Sequence, residues 1–283
     1  MDGEYKMKLY KNKEWLQEKF KELKYAQTIG KEIGVSGDTI EYWRKKFNIP
    51  KQNDNQANRK YFFNEDYFKK IDTEEKAYWL GFIMADGCIS KNNSNNPYNR
   101  LEINLKIEDI GHLEKFNKSI ASNKPIVSKE VNSRGHISTI CQIRLNSKRL
   151  CEDLILNSVT PNKTGKEIIP NTISNELVRH FIRGYFDGDG CLYKSNKENK
   201  LYCSICSSSI DLIKQLKTIM EDNKIIPYIN ERKNYNVPFF IIGTKNQNYV
   251  KTFLDYLYKD ATIYLDRKYQ LYLSHYAPLN GDV

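Results

Sequence analysis

The chain has 283 residues, room for two or three compact units at the usual size of about 100–200 residues each. Lys and Arg number 45 against 35 Asp and Glu, a formal charge of +10 with a pI near 9.1, which points to a polyanionic partner: nucleic acid or an anionic membrane surface. No run approaches the roughly 20 apolar residues of a membrane span, the opening Met1-Asp2-Gly3-Glu4-Tyr5 is no signal peptide, and the scattered cysteines make no secreted disulfide framework, so a soluble intracellular protein with reduced thiols is expected.

Residues 1–50 read as a module of their own. Amphipathic periodicity runs from Trp15 to Phe47 and then gives way to the polar stretch Lys51–Lys60, which places a linker at 51–70. Glu14–Phe20 and Ala26–Ile33 are predicted helices; Gly34-Val35-Ser36 is a turn, with Ser36 the N-cap of a third helix through Phe47. This is the order of a helix-turn-helix, in which the early residues of the last helix face base edges in the major groove. Asp38, Thr39, Tyr42, Arg44 and Lys45 are its candidate DNA contacts. A helical hairpin packed on the next domain would show the same periodicity, with its charges merely solvated. The run Trp43-Arg44-Lys45-Lys46, a core anchor beside a basic face, favours DNA.

Beyond the linker the chain repeats itself with an offset of about 100 residues, giving halves at 71–165 and 166–283. The first copy opens with Ala77-Tyr-Trp-Leu-Gly-Phe-Ile-Met-Ala-Asp-Gly87, the second with His180-Phe-Ile-Arg-Gly-Tyr-Phe-Asp-Gly-Asp-Gly190. In each, two strands follow, then a helix (from Asp109-Ile110 and Ser209-Ile210). Two more strands come next (Ile126–Asn132 and Ile137–Asn146; Ile225–Arg232 and Val237–Thr244) and a closing helix. The fold class is α+β: two αββαββα halves behind a small all-α module. In Arg100–Ile107 the odd positions are apolar and the even ones polar, so Arg100, Glu102, Asn104 and Lys106 share a wet face. Gln142 and Arg144 extend that face, and Asn230 and Arg232 are its candidates in the second copy. Arg suits guanine and Asn or Gln adenine, although a solvated sheet alternates in the same way without binding anything. Cys203-Ser-Ile-Cys206 has the spacing of a zinc half-site, but with no second ligand pair and in a strand-like run it reads as two small strand residues.

Asp86 and Asp189 each end an apolar helix at a glycine able to take the left-handed capping conformation, so each carboxylate faces the negative end of a helix dipole. Gly81 and Gly184 would let the two helices approach closely, setting two anions side by side, a cost that a bound cation would relieve. Trp79-Leu-Gly-Phe-Ile-Met-Ala-Asp-Gly87 and Ile182-Arg-Gly-Tyr-Phe-Asp-Gly-Asp-Gly190 resemble the paired motifs of two-motif LAGLIDADG homing endonucleases, the first departing from the pattern at Met84 where the second has Asp187. The resemblance implies saddle-shaped antiparallel sheets gripping a long double-stranded DNA site. It implies too a monomer without an obligatory protein partner or membrane, and hydrolysis of one phosphodiester on each strand. Asp86 and Asp189 would be catalytic and hold Mg²⁺, with Mn²⁺ substituting, Ca²⁺ permitting binding without cleavage, and the backbone of Gly87 and Gly190 as further candidate ligands. The family places a basic residue near each scissile phosphate; Lys163 and Lys268, each at nearly the same distance beyond its aspartate, are the candidates, with Lys166 and Arg267 as neighbours able to take the role. An intron-RNA maturase or a non-cleaving DNA-binding regulator would use the same scaffold. The expected setting is the cytoplasm of a bacterial or phage-infected cell, and Pro278–Val283 offers no His-Asn junction for an intein.

Overall fold

The computed structural model of the chain describes residues 9–23, 26–49, 61–91, 98–133, 135–232 and 238–276. Two compact units separate at Met1–Tyr61 and Phe62–Val283. In the first, α1 (Lys13–Leu23), α2 (Ala26–Ile33) and α3 (Gly37–Lys46) enclose Leu16, Phe20, Ile29, Ile33, Ile40 and Ile49. The turn between α2 and α3 needs its glycines: Gly34 takes φ +75°, and a Cβ at Gly30 would stand 2.5 Å from the carbonyl oxygen of Val35. Ser36 caps α3, its hydroxyl accepting from the Thr39 N–H at 3.2 Å. Lys19 of α1 reaches Glu32 of α2 at 2.7 Å.

The second unit is α+β. Its first half runs α4 (Glu74–Asp86), β1 (Gly87–Lys91), β2 (Tyr98–Lys106), α5 (Ile110–Ser119), β3 (Val127–Ser133), β4 (His136–Asn146) and α6 (Lys148–Leu156). The second half runs α7 (Asn175–Asp189), β5 (Gly190–Ser195), β6 (Lys200–Ser207), α8 (Ile210–Asp222), β7 (Tyr228–Arg232), β8 (Phe239–Thr244) and α9 (Gln247–Tyr258), and adds α10 (Asp266–Tyr276). Each half forms one antiparallel sheet, ordered β1-β2-β4-β3 and β5-β6-β8-β7. The apolar alternation sets their faces: Leu101, Ile103 and Leu105 of β2 and Leu201, Cys203 and Ile205 of β6 point into the core. Cys203 is buried and Cys206 lies on the opposite face of β6, as strand residues three apart must.

The linker expected at 51–70 is cut short by packing; residues 51–60 lie outside the described residues. Tyr67 and Phe68 are core, the Phe62 N–H donates to Asn123 Oδ1 at 2.6 Å, and Asn157 Nδ2 donates to the Phe68 carbonyl at 3.0 Å. Aromatic residues among the polar ones anchor 62–70 to the second unit. Among the described residues no helix is long and apolar enough to cross a membrane.

Candidate active site

The helices α4 and α7 pack backbone to backbone. A Cβ at Gly81 would lie 1.9 Å from the Phe181 carbonyl oxygen, and one at Gly184 would lie 1.9 Å from that of Tyr78. A Cβ at Gly188 would stand 2.4 Å from Ala85 Cβ and 3.0 Å from Asp86 Oδ2, so the last turn of α7, which carries Asp189, lies against the last turn of α4, which carries Asp86. The left-handed cap expected of the two glycines does not form: Gly87 (φ −79°, ψ 149°) and Gly190 (φ −79°, ψ 147°) are extended, because each helix runs directly into a strand. Glycine is required there for room, since a Cβ would sit 2.7 Å from the Ile83 carbonyl oxygen in one case and 2.3 Å from that of Phe186 in the other.

Asp86 is half-buried and Asp189 faces solvent. Desolvation, and then the neighbouring charge of Asp189, raise the Asp86 carboxyl from 3.8 to about 6, against the pull of Lys163, Lys268 and Arg267. Asp189 is also raised by desolvation, with Lys163, a Tyr185 hydrogen bond and Lys268 pulling it down. The two lysines meet the helix ends. Lys163 Nζ donates to the Ala85 carbonyl at 2.7 Å, and the buried Lys268 donates to the carbonyls of Phe186, Asp187 (3.0 Å) and Gly190. Burial lowers Lys268 to about 8. Of the neighbours weighed against them, Lys166 is exposed and Arg267 holds Asp109 across the halves at 3.2 Å. The Gly190 carbonyl, a candidate metal ligand by sequence, accepts one of these Lys268 hydrogen bonds.

Sequence reasoning missed a buried polar chain beside the acids. Asp187 accepts from Tyr258 Oη at 2.6 Å, Tyr78 Oη at 2.8 Å and the Leu265 N–H at 2.8 Å. Burial holds its carboxyl above the ordinary range. His112 Nε2 lies 3.0 Å from Tyr78 Oη. The phenol donates to Asp187, and His112 Nδ1 is buried with no hydrogen-bond partner among the described residues; burial lowers the ring to about 3 and so keeps it neutral. At the other end of the pair, the buried Arg183 reaches Glu74 at 2.7 Å. The visible signal was the mismatch of Met84, a core residue, with Asp187.

The predicted nucleic-acid contacts divide. Asp38, Tyr42 and Lys45 are exposed on α3, and Thr39 Oγ1 lies 2.9 Å from Ser36 Oγ in the cap. Arg44 is a correction: it is buried, its guanidinium held by Glu41 (2.8 and 2.9 Å) and the Ile49 carbonyl, so it braces the module and does not face a groove. On the first sheet Asn104, Lys106 and Arg144 are exposed and Arg100 and Glu102 half-buried; on the second Asn230 and Arg232 are exposed. Gln142 points outward but is covered, its amide donating to Glu102 (2.6 Å) and Asn104.

Residues 176–257 match the family model of the LAGLIDADG-like domain. The chain is 28% identical over 219 residues to the replication factor C small subunit of Methanocaldococcus jannaschii, covering 75% of this chain and 11% of that protein. It is 29% identical over 143 residues to the glutamine–fructose-6-phosphate aminotransferase (isomerizing) of the same organism, covering 49% of this chain and 12% of that protein. The chain therefore spans about a tenth of the length of these curated relatives. Among solved structures it resembles the homing endonuclease I-WcaI bound to its DNA recognition sequence, with a TM-score of 0.50, 16% identity, and coverage of 72% of this chain and 91% of that one. The resemblance to LAGLIDADG homing endonucleases carried by the two aspartate motifs thus extends to the family model in the second half and to the two-sheet α+β fold.

Proposed function

We propose that the chain is a site-specific endonuclease that cuts both strands of duplex DNA with divalent metal, acting as a monomer. The observation that carries this reading is the pair Asp86 and Asp189: two carboxylates ending pseudo-symmetric helices that glycine contacts pack against one another, both raised by their surroundings. Such a pair destabilises the metal-free fold, and hard carboxylate oxygens are the donors that Mg²⁺, Mn²⁺ or Ca²⁺ prefers. Asp86 and Asp189 would hold the metal, with the Gly87 carbonyl a further candidate. When bound, divalent ions supply an acidified water and charge neutralisation at the leaving oxygen.

The chain's own groups have separate tasks. Lys268 is committed to three carbonyls, so it fixes the end of α7 with its charge beside the acids. Among the described residues Lys163 spends one of its three ammonium donors, on Ala85, and the others would reach a phosphate oxygen and stabilise the phosphorane. The two sheets would carry the duplex, and Asp38, Tyr42 and Lys45 of α3 would add contacts outside the catalytic footprint. The two curated relatives are of unrelated kinds and match over only about a tenth of their length; the DNA-bound endonuclease of similar fold supports the proposal. Incubating the chain with a randomised duplex library and Mg²⁺ should return a single cut site, with one protein per site in sedimentation. Recovery of uncut DNA alone, or an obligatory dimer, overturns the proposal.

A further inference from the structure

The two strand faces beside the carboxylates share one template and carry opposite chemistry. Gly87 lies opposite Ile103 and Gly190 opposite Ile205, so each outward position of the first sheet has a counterpart in the second. The cross-strand pair Glu102–Arg144 corresponds to Ser204–Gly243, and Asn104–Gln142 to Cys206–Ile241. In the first sheet these four side chains form one network around the Glu102 carboxylate, which accepts from Asn104 at 3.0 Å, Gln142 at 2.6 Å and Arg144 at 2.6 Å. In the second sheet the same four positions hold no charge and no amide. An arginine could not replace Gly243: a Cβ there would stand 2.7 Å from the Cys203 carbonyl oxygen and 3.1 Å from Tyr228 Oη. The neighbouring pair Tyr193 and Tyr202 stacks at 5.3 Å and 17°, with Tyr193 52% exposed. Among the described residues the long polar side chains of this face are Lys200 at a strand end, Asn230 and Arg232 on the edge strand, with Asn230 opposite Ile241, and Lys245, 5.7 Å over the Tyr228 ring.

We propose that the second half-site is read by apolar contact, with Cys206 and Ile241 against thymine 5-methyl groups, while the first is read by hydrogen bonds from Glu102, Asn104 and Arg144, with Gln142 bracing Glu102 and Asn104. The inference rests on the DNA-binding reading above. A duplex is the occupant because β5 starts at Gly190, next to Asp189, making this face continuous with the carboxylates. Thymine is the base that presents an apolar group in the major groove, whereas guanine or adenine would leave hydrogen-bonding atoms desolvated against Ile241 and Cys206.

The test is selection of bound duplexes by the full chain in Ca²⁺, followed by titration of the selected site with deoxyuridine in place of thymidine. Thymine should be enriched at the two second-half positions nearest the centre. Removing each methyl there should weaken binding about fourfold, while the same replacement at the symmetric first-half positions has no effect. Exchanging Ile241→Gln together with Cys206→Asn should move the preference of those positions towards adenine. If no duplex is selected at all, the DNA-binding reading falls and takes this one with it. A selected site with guanine or cytosine at these positions, or one indifferent to deoxyuridine, overturns this proposal alone.

Discussion

Replacing Asp86 with asparagine removes one charge from the carboxylate pair with little change of shape, and its effect on the metal-free fold follows from the electrostatics. The folded chain holds the Asp86 proton more tightly than the unfolded chain, with the carboxyl raised from 3.8 to about 6 by desolvation and by Asp189. At about 1.4 kcal/mol per unit, ionising this group costs the fold about 3 kcal/mol at pH 7. The stability associated with the proton is fully present below about pH 4, where both states are protonated, and is lost as the pH rises through about 6. Asp86→Asn should therefore raise the metal-free Tm at pH 7 by roughly 5–10 °C, with the gain fading towards pH 4. Calorimetry in chelator across pH 4–8 measures both. Mg²⁺ should then stabilise the wild type more than the variant and narrow the gap, because the acid pair is the proposed ligand. A variant several degrees less stable at pH 7, with the pH slope of the wild type, would show that Asp86 is an ordinary helix stop.

The two lysines should separate. Lys268→Met strips the donor from three carbonyls at the end of α7 and should cost about 2–4 kcal/mol in denaturant titration as well as cleavage; Lys163→Met should cost less than about 1 kcal/mol while cleavage falls. Gly81→Ala forces a Cβ to within 1.9 Å of the Phe181 carbonyl oxygen, so the helices must part. A loss of about 3 kcal/mol or more, together with loss of cutting, is expected, and a neutral substitution would contradict the close packing. Removing residues 1–50 should weaken DNA binding and flatten its dependence on salt, because fewer phosphates are neutralised, while cutting survives at high protein concentration; an unchanged footprint and affinity would contradict the role given to α3.

Much of the fold was legible because its signals are local. Ser36 and the Gly34 turn fix α2 and α3, the doubled Asp-Gly motif gives the two halves, and alternation in Arg100–Ile107 gives the faces of β2. What the sequence concealed depends on partners far along the chain or on where the chain goes next. Gln142 lies on the outward face as expected, yet Glu102 and Asn104 of the neighbouring strand cover it. Arg44 belongs to a basic run, but its position on α3 turns it towards Ile49. Gly87 and Gly190 sit where a left-handed cap would end a helix; continuation into β1 and β5 demands extended backbone instead. Asp187 finds its Tyr78 partner 109 residues away, a pairing no periodicity encodes.

The carboxylate pair is tested most directly by carrying Asp86→Asn and Asp189→Asn through one assay of binding and cleavage on the selected duplex. Both variants should bind it in Ca²⁺ as the wild type does, since the base-reading strands are untouched, and neither should cut either strand in Mg²⁺. Undiminished cleavage by both variants would contradict the assignment of the catalytic centre to Asp86 and Asp189.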